Sequence, residues 1–341
     1  MTVLKAGLRG RAQAVMLGVA LALAVPAASA QEVTIRWGNT APAAVPHALS
    51  AILALDPELQ KKHGIKVEMI NFQGNSSNCM AALIGNAVDF CQTGISTGLY
   101  AIAEGAAIKS FSMMGGQVGE LALNKATAER VAVTADEPIK ERLSKLKGLQ
   151  ITGSGPGTPN YMLLDVMLKK AGLSINDLQF RTLVDITAMN EGVRNGAIDG
   201  VWWSLGALGP ALGDGSAVQV ISLARGDFPE FKGVALTAIY ANTSWLEANR
   251  DTAKRAKAAM VEALQKWRAD PRGYGEEYKK TYLEAMPDET WNNIVDQNLV
   301  AFFDDMTGTA PGWDFWIDIM KTEGKEGSEK AAFAHAFDTL E

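Results

Sequence analysis

Two stretches of the chain run in step at a constant offset of 110 residues: Asn75-Ser76-Ser77-Asn78-Cys79-Met80-Ala81-Ala82-Leu83-Ile84-Gly85-Asn86-Ala87-Val88-Asp89 and Asp185-Ile186-Thr187-Ala188-Met189-Asn190-Glu191-Gly192-Val193-Arg194-Asn195-Gly196-Ala197-Ile198-Asp199. Each opens on a residue suited to cap a helix and places apolar side chains at helical spacing, Cys79 and Leu83 or Met189 and Val193. Each then passes through a small-residue turn into Ala-Val-Asp or Ala-Ile-Asp and a strand. Repetition of the unit predicts two similar α/β halves rather than one large sheet.

Outward from the first stretch, strands are predicted at 33–37, 65–72, 88–92 and 108–114, with helices at 46–62, 76–85 and 98–104. Around the second, a strand at 149–152 opens into Gly153-Ser154-Gly155-Pro156-Gly157-Thr158-Pro159. A helix at 161–171 follows, closed by Gly172, then a strand at 178–183, a helix at 187–195 and a strand at 198–202. This alternation with apolar strands predicts parallel sheets covered by helices. From Ser244 the chain is mostly helical, with predicted helices at 245–267, 275–284, 288–303 and 313–322 and a helix-like run at 330–340. Their Trp and Phe residues read as core anchors. The strand predicted at 233–240 is where the chain returns to the first half.

The first thirty residues carry Lys5, Arg9 and Arg11, an apolar run from Ala14 to Val25, and then Pro26-Ala27-Ala28-Ser29-Ala30. That is the three-part layout of a secretory signal, with cleavage expected after Ala30. The apolar run is too short to span a bilayer core, which takes roughly 20 residues. No Cys sits at the cut site, so a soluble exported protein without a membrane anchor is expected. Cys79 and Cys91 would then meet an oxidising compartment, as a helix-to-strand disulfide or as two buried thiols. Over all 341 residues, 48% are hydrophobic and 21% charged, with a net charge of −6. An acidic globular chain without a basic face argues against nucleic-acid binding.

In open α/β sheets ligands bind beyond the carboxyl ends of the strands, where helix N-termini offer free N–H groups. The loops predicted there are Gly38-Asn39-Thr40, Gly74-Asn75-Ser76-Ser77 and Gly94-Ile95-Ser96-Thr97 in the first half. The second half supplies Gly155-Pro156-Gly157-Thr158-Pro159-Asn160, Asp185 and Trp202-Trp203-Ser204. Any one of these residues reads as a helix cap, and their clustering in both halves is what points to a ligand. Gly153-x-Gly155-x-Gly157 misses dinucleotide spacing by one residue and loses donors to Pro156 and Pro159. Gly94-Ile95-Ser96-Thr97-Gly98 matches a nucleophile elbow, so a secreted serine esterase is the enzymatic alternative. Its only later histidine is His335, in the helix-like run. Three scattered histidines give no metal-ligand set, and no cofactor is expected.

The segment Glu58–Gly64 with Ile65-Lys66-Val67-Glu68, the Asn75–Asp89 unit, Leu146-Lys147-Gly148 leading to Gly155-Pro156-Gly157-Thr158, and Gly192–Trp203 together resemble one family. It comprises the substrate-binding proteins of ABC importers of the nitrate, sulfonate, taurine and thiamine-precursor type, and the resemblance covers about residues 33–270. It implies a periplasmic binding protein-like fold of type II: two similar α/β lobes with a hinge, a central ligand cleft and a helical C-terminal region. Lobe I would take 31–120 and 237–341, and lobe II 121–236. It also implies a monomer in the periplasm that closes on a small-molecule ligand and delivers it to ABC importer membrane subunits; a membrane sensor is the alternative partner. Asn39, Asn75, Ser76, Ser77, Gly94, Ser96 and Thr97 would line one wall. Gly155, Thr158, Asn160, Asp185, Trp202 and Trp203 would line the other. A sulfonate or carboxylate is the favoured ligand, although no Arg lies in these loops; Arg181, Arg194 and Arg225 are unplaced contributors. The family also holds thiamine-pyrimidine synthases, which carry a Cys-rich motif and donate a His, and with two Cys and an export signal this chain does not fit that branch.

Overall fold

The computed structural model describes residues 32–116 and 118–341; the expected leader and its cleavage site lie outside the described residues. In chain order the first sheet is laid down by β1 (Val33–Asn39), β2 (Ile65–Asn71), β3 (Phe90–Gly94) and β4 (Ile108–Gly115). Between them run α1 (Ala48–Leu55), α2 (Pro57–Lys62), α3 (Ser76–Ile84) and α4 (Ile95–Ala103). The second sheet follows: β5 (Gly119–Asn124), α5 (Lys125–Arg130), α6 (Ile139–Ser144), β6 (Ile151–Gly153), α7 (Pro159–Lys169), β7 (Arg181–Thr182), α8 (Ile186–Arg194), β8 (Gly200–Ser204), α9 (Gly209–Gly213) and β9 (Ala217–Ser222). β10 (Thr237–Asn242) returns to the first sheet. The remainder is helical: α10 (Thr243–Ala248), α11 (Arg250–Ala269), α12 (Glu276–Tyr282), α13 (Asp288–Leu299), α14 (Ala310–Thr322) and α15 (Phe333–Ala336).

The two sheets have one plan. Their strand orders are β2-β1-β3-β10-β4 and β7-β6-β8-β5-β9. Four strands of the first sheet share a direction, while β10 runs antiparallel to both neighbours. β5 occupies the matching fourth place in the second sheet and is likewise antiparallel to β8 and β9. The expectation of wholly parallel sheets is therefore corrected: each sheet receives one reversed strand, β10 or β5, where the chain passes from one sheet to the other. The architecture is the periplasmic binding protein-like fold, two mixed sheets flanked by helices.

The repeated Asp has a structural job in both halves. Asp89 accepts from the Arg36 backbone N–H at 2.8 Å and from the Arg36 guanidinium at 2.6 Å, pinning β1 to the start of β3. Asp199 accepts from the Gln150 backbone N–H at 2.9 Å and from Thr127 Oγ1 at 2.8 Å, at the corresponding place beside β6 and β8. Cys79 of α3 and Cys91 of β3 are joined as a disulfide, with Cα atoms 5.9 Å apart.

Some expected elements are shorter. The 46–62 helix breaks at Asp56, whose carboxylate accepts from the Leu59 N–H at 2.9 Å and caps α2 at Pro57. The 245–267 helix breaks at Asn249, the 178–183 strand pairs only over Arg181–Thr182, and the 330–340 run holds one α-turn. α11 buries Ala256, Ala259, Met260, Ala263 and Trp267, the spacing of one helical face. Trp267, Trp313 and Trp316 are fully buried. The Trp316 indole donates to the Ala235 carbonyl at 2.8 Å, tying α14 to the return crossover.

Candidate functional site

The carboxyl ends of the parallel strands in the two sheets face each other, and a two-chambered cleft lies between them. Thr40 and Ala41 follow β1, Gly74 follows β2, and Gly94 ends β3; Ser154 follows β6 and Ser204 ends β8. The inner chamber has a volume of about 50 Å³ and the outer about 450 Å³. They adjoin each other, sharing Thr40, Ala41, Gly74 and Trp203 in their walls. The inner volume suits a small polar group, since one water occupies about 30 Å³ of liquid.

Contacts across the gap hold the halves together. Ser96 donates to the Gly157 carbonyl at 2.8 Å. A Cβ on Gly94 would sit 2.5 Å from Pro159 Cδ, and one on Gly74, whose φ is +81°, would sit 2.9 Å from Val184 Cβ. Glycine at these two positions lets the loops of opposite halves meet.

Of the residues expected at the site, Ser76, Gly94, Thr158, Asn160 and Trp203 line the inner chamber, and Asp185 lines the outer one. The others do not line either chamber, and the Thr97 hydroxyl is buried without a partner away from both. Asn39 is fully buried, donating to the His47 carbonyl at 3.0 Å and accepting from the Ala41 N–H at 2.9 Å. Asn75 caps α3 by accepting from the Asn78 N–H, as Asp185 caps α8 from the Ala188 N–H, each at 2.9 Å. Ser77 lies in the first turn of α3, Thr97 in that of α4, and Gly155 sits against Thr182. Trp202 points to the opposite face of β8 from Trp203, fully buried, and donates to the Asn160 carbonyl at 2.6 Å. The three arginines are absent from both linings. Arg194 pairs with Asp214 and Glu191, Arg225 pairs with Asp227, and Arg181 lies in the short edge strand β7.

His47 and Thr237 are site residues that the sequence reading missed. Both are buried, at 6% and 1% exposure, and both line the inner chamber. Burial pushes the His47 imidazole down to about 4, so it is neutral at pH 7. Its loop is fixed from behind by Asn39, Ser50 and Gln92, of which Gln92 donates to the His47 carbonyl at 3.2 Å. The one available signal was Pro46-His47 at a helix start just after the first strand loop. Three buried polar atoms of the chamber wall have no hydrogen-bond partner: His47 Nδ1, Asn160 Oδ1 and Thr237 Oγ1. Buried polar groups are nearly always paired, and all three belong to residues that line this one chamber. The helices α3, α4 and α7 also begin at its wall, so their dipoles favour negative charge there.

The elbow reading of Gly94–Gly98 finds no support in this geometry. Ser96 sits in the first turn of α4, its hydroxyl is given to a backbone carbonyl, and no histidine is among its partners.

Residues 49–273 match the family model described as NMT1/THI5 like. No curated protein sequence matches the chain. Among solved structures, the alkanesulfonate-binding protein SsuA of Xanthomonas axonopodis pv. citri bound to MOPS is similar at 16% identity. It matches over 91% of this chain and 99% of that one, with a TM-score of 0.68. The periplasmic aliphatic sulphonate binding protein SsuA of Escherichia coli is similar at 17% identity over 88% and 91% of the two chains, TM-score 0.66. The periplasmic nitrate-binding protein NrtA of Synechocystis PCC 6803 is similar at 16% identity over 91% and 87%, TM-score 0.64.

Proposed function

The chain belongs to the NMT1/THI5 like family, and from that premise we propose that it is an exported solute-binding protein that closes on a small organic ligand and delivers it to the membrane subunits of an ABC importer. Each sheet with its helices acts as one lobe, near the expected bounds of 31–120 with 237–341 against 121–236, with β5 whole in the second. The crossovers from β4 to β5 and from β9 to β10 serve as the hinge, and closure around ligand is a hinge motion. The protein works in the periplasm as a monomer after removal of its first thirty residues. It is a binding protein and not an enzyme: catalysis needs a positioned acid–base pair, and the inner chamber sets a neutral imidazole among amide, hydroxyl and indole groups, with the Asp185 carboxylate in the outer one.

The observation that carries this reading is the set of unpartnered buried groups on His47, Asn160 and Thr237, residues that both halves supply to one chamber wall. An anionic head, a sulfonate or carboxylate, would be held by the N-termini of α3, α4 and α7 and by these groups rather than by a cation. Ser76, Thr158 and Trp203 complete the inner wall, and Asp185 stands at the outer one. The test is mass spectrometry of the natively purified protein after gentle denaturation. Release of one small polar molecule per chain, which rebinds saturably and unchanged, is the expected result. A released molecule that is chemically altered on re-addition would overturn the binding-only reading.

A further inference from the structure

The residues that line the inner chamber say more about the ligand than its size does. Asn160 Oδ1 is an acceptor only, and it lies in the wall without a partner. Its residue is firmly placed: Pro159 and Asn160 open α7, Thr158 caps that helix, and the buried Trp202 indole holds the Asn160 carbonyl at 2.6 Å. The backbone that carries this side chain at the chamber wall is thereby fixed. Thr237 and the neutral His47 each can donate or accept. Among the described residues lining either chamber there is no lysine or arginine, and Asp185 is the sole carboxylate.

We infer that the ligand presents an N–H or O–H donor to Asn160 beside the acceptor atoms that meet Thr237 and His47. This rests on the solute-binding reading and narrows it. A bare oxyanion has acceptors alone and would leave Asn160 Oδ1 buried and unpaired, opposite lone pairs of its own kind. Nitrate, sulfate and simple alkanesulfonates are thereby the weaker ligands. Hydroxy acids, amino acids, aminosulfonates and amides, in which a donor stands near an acceptor, are the fitting class. Discrimination of this kind is steep, because a site built around a hydrogen bond rejects analogues that leave its buried group unpaired.

The experiment uses two matched series on the processed full-length protein, followed by calorimetry: ethanesulfonate against 2-hydroxyethanesulfonate and 2-aminoethanesulfonate, and propanoate against lactate and propanamide. In any series that binds, the donor-bearing member is expected to bind at least about tenfold tighter than the donor-less one. Asn160→Leu should shrink that gap to within threefold. Asn160→Asp, which keeps an acceptor oxygen, should retain it for the ammonium- and hydroxyl-bearing members. Equal or tighter binding of ethanesulfonate or propanoate overturns the inference while leaving the solute-binding reading intact. Absence of binding by every member of both series withdraws the solute-binding reading and the inference together.

Discussion

The two halves of this molecule share a strand order, a helix at the same offset, a capped N-terminus and a pinning aspartate, yet they bring different chemistry to the cleft. The first half contributes a neutral imidazole and a threonine hydroxyl, His47 and Thr237, from a loop and a strand start outside the repeated unit. The second contributes an amide and an indole, Asn160 and Trp203, with Asp185 at the rim. What repeats is scaffold, and what differs is recognition.

The sharpest difference in stability should come from the halves' Arg–Asp pairs. Arg142 and Asp227 are buried, at 7% and 9% side-chain exposure, and Arg142 also donates to the Val220 carbonyl at 2.8 Å. Asp227→Ala leaves that guanidinium buried without its partner and should cost about 3–5 kcal/mol. Arg36, by contrast, is 43% exposed, so Asp89→Ala should cost only about 1–2 kcal/mol, mostly for the strand N–H it leaves unpaired. Chemical denaturation of both variants checks the ordering, and equal costs would break it.

A second contrast lies in pH dependence. Burial lowers His47 to about 4 and raises Glu120 to about 7, because one is a base and the other an acid. Hydrogen bonds from Gln219 and from the Gly206 N–H act on Glu120 in the opposite direction to burial, without cancelling it. The His47 contribution is present above pH 6.5 and is lost as pH falls towards 4, about 3 kcal/mol in all. The Glu120 contribution is present below pH 4.5 and is lost as pH rises towards 7, again about 3 kcal/mol. The two offset each other between about pH 4.5 and 6.5. Glu120→Gln should expose stability that climbs with pH across that window, and His47→Gln stability that falls. Melting curves from pH 4 to 7.5 that stayed flat in both variants would contradict the assignment.

Gly94→Ala tests the meeting of the halves. Its methyl group would press on Pro159 in the closed form, so ligand affinity should fall by roughly 10- to 100-fold, the equivalent of about 1–3 kcal/mol of overpacking. Small-angle scattering should show a more open particle, and unchanged affinity would contradict closure through this contact. The smallest effect concerns the caps. Asn75→Ala and Asp185→Ala should each cost about 1 kcal/mol. A much larger loss of ligand affinity for either would show that the side chain does more than start its helix.

The fold was legible because the repeated unit carries physical requirements that composition cannot hide: a capping oxygen, apolar residues one turn apart, a tight turn, and an aspartate that must receive a backbone N–H. The reversed strand β5, fully buried from Gly119 to Asn124, was not legible. A short strand carrying a buried acid, Glu120, says nothing about direction, and the partner strands lie roughly 80–100 residues further along the chain. At the site, small polar residues in loops read alike whether they cap, pack or bind. Asn39 and Asn75 have the composition of ligand contacts, but their side chains are used by the backbone next to them. Trp202 and Trp203 differ only in which face of β8 they take, which a two-residue motif leaves undetermined. His47 and Thr237 stand outside every motif and gain their role only when two remote loops are brought together.

The most direct test of a receptor made of two scaffolds with unlike chemistry is a thermal-shift panel of small polar solutes, with each hit titrated and assayed for chemical change. The account predicts that at least one donor-bearing solute raises the melting temperature saturably, following RT ln(1 + [L]/Kd), and is recovered intact. A melting temperature that no member of the panel moves, or a hit that is consumed, would contradict it.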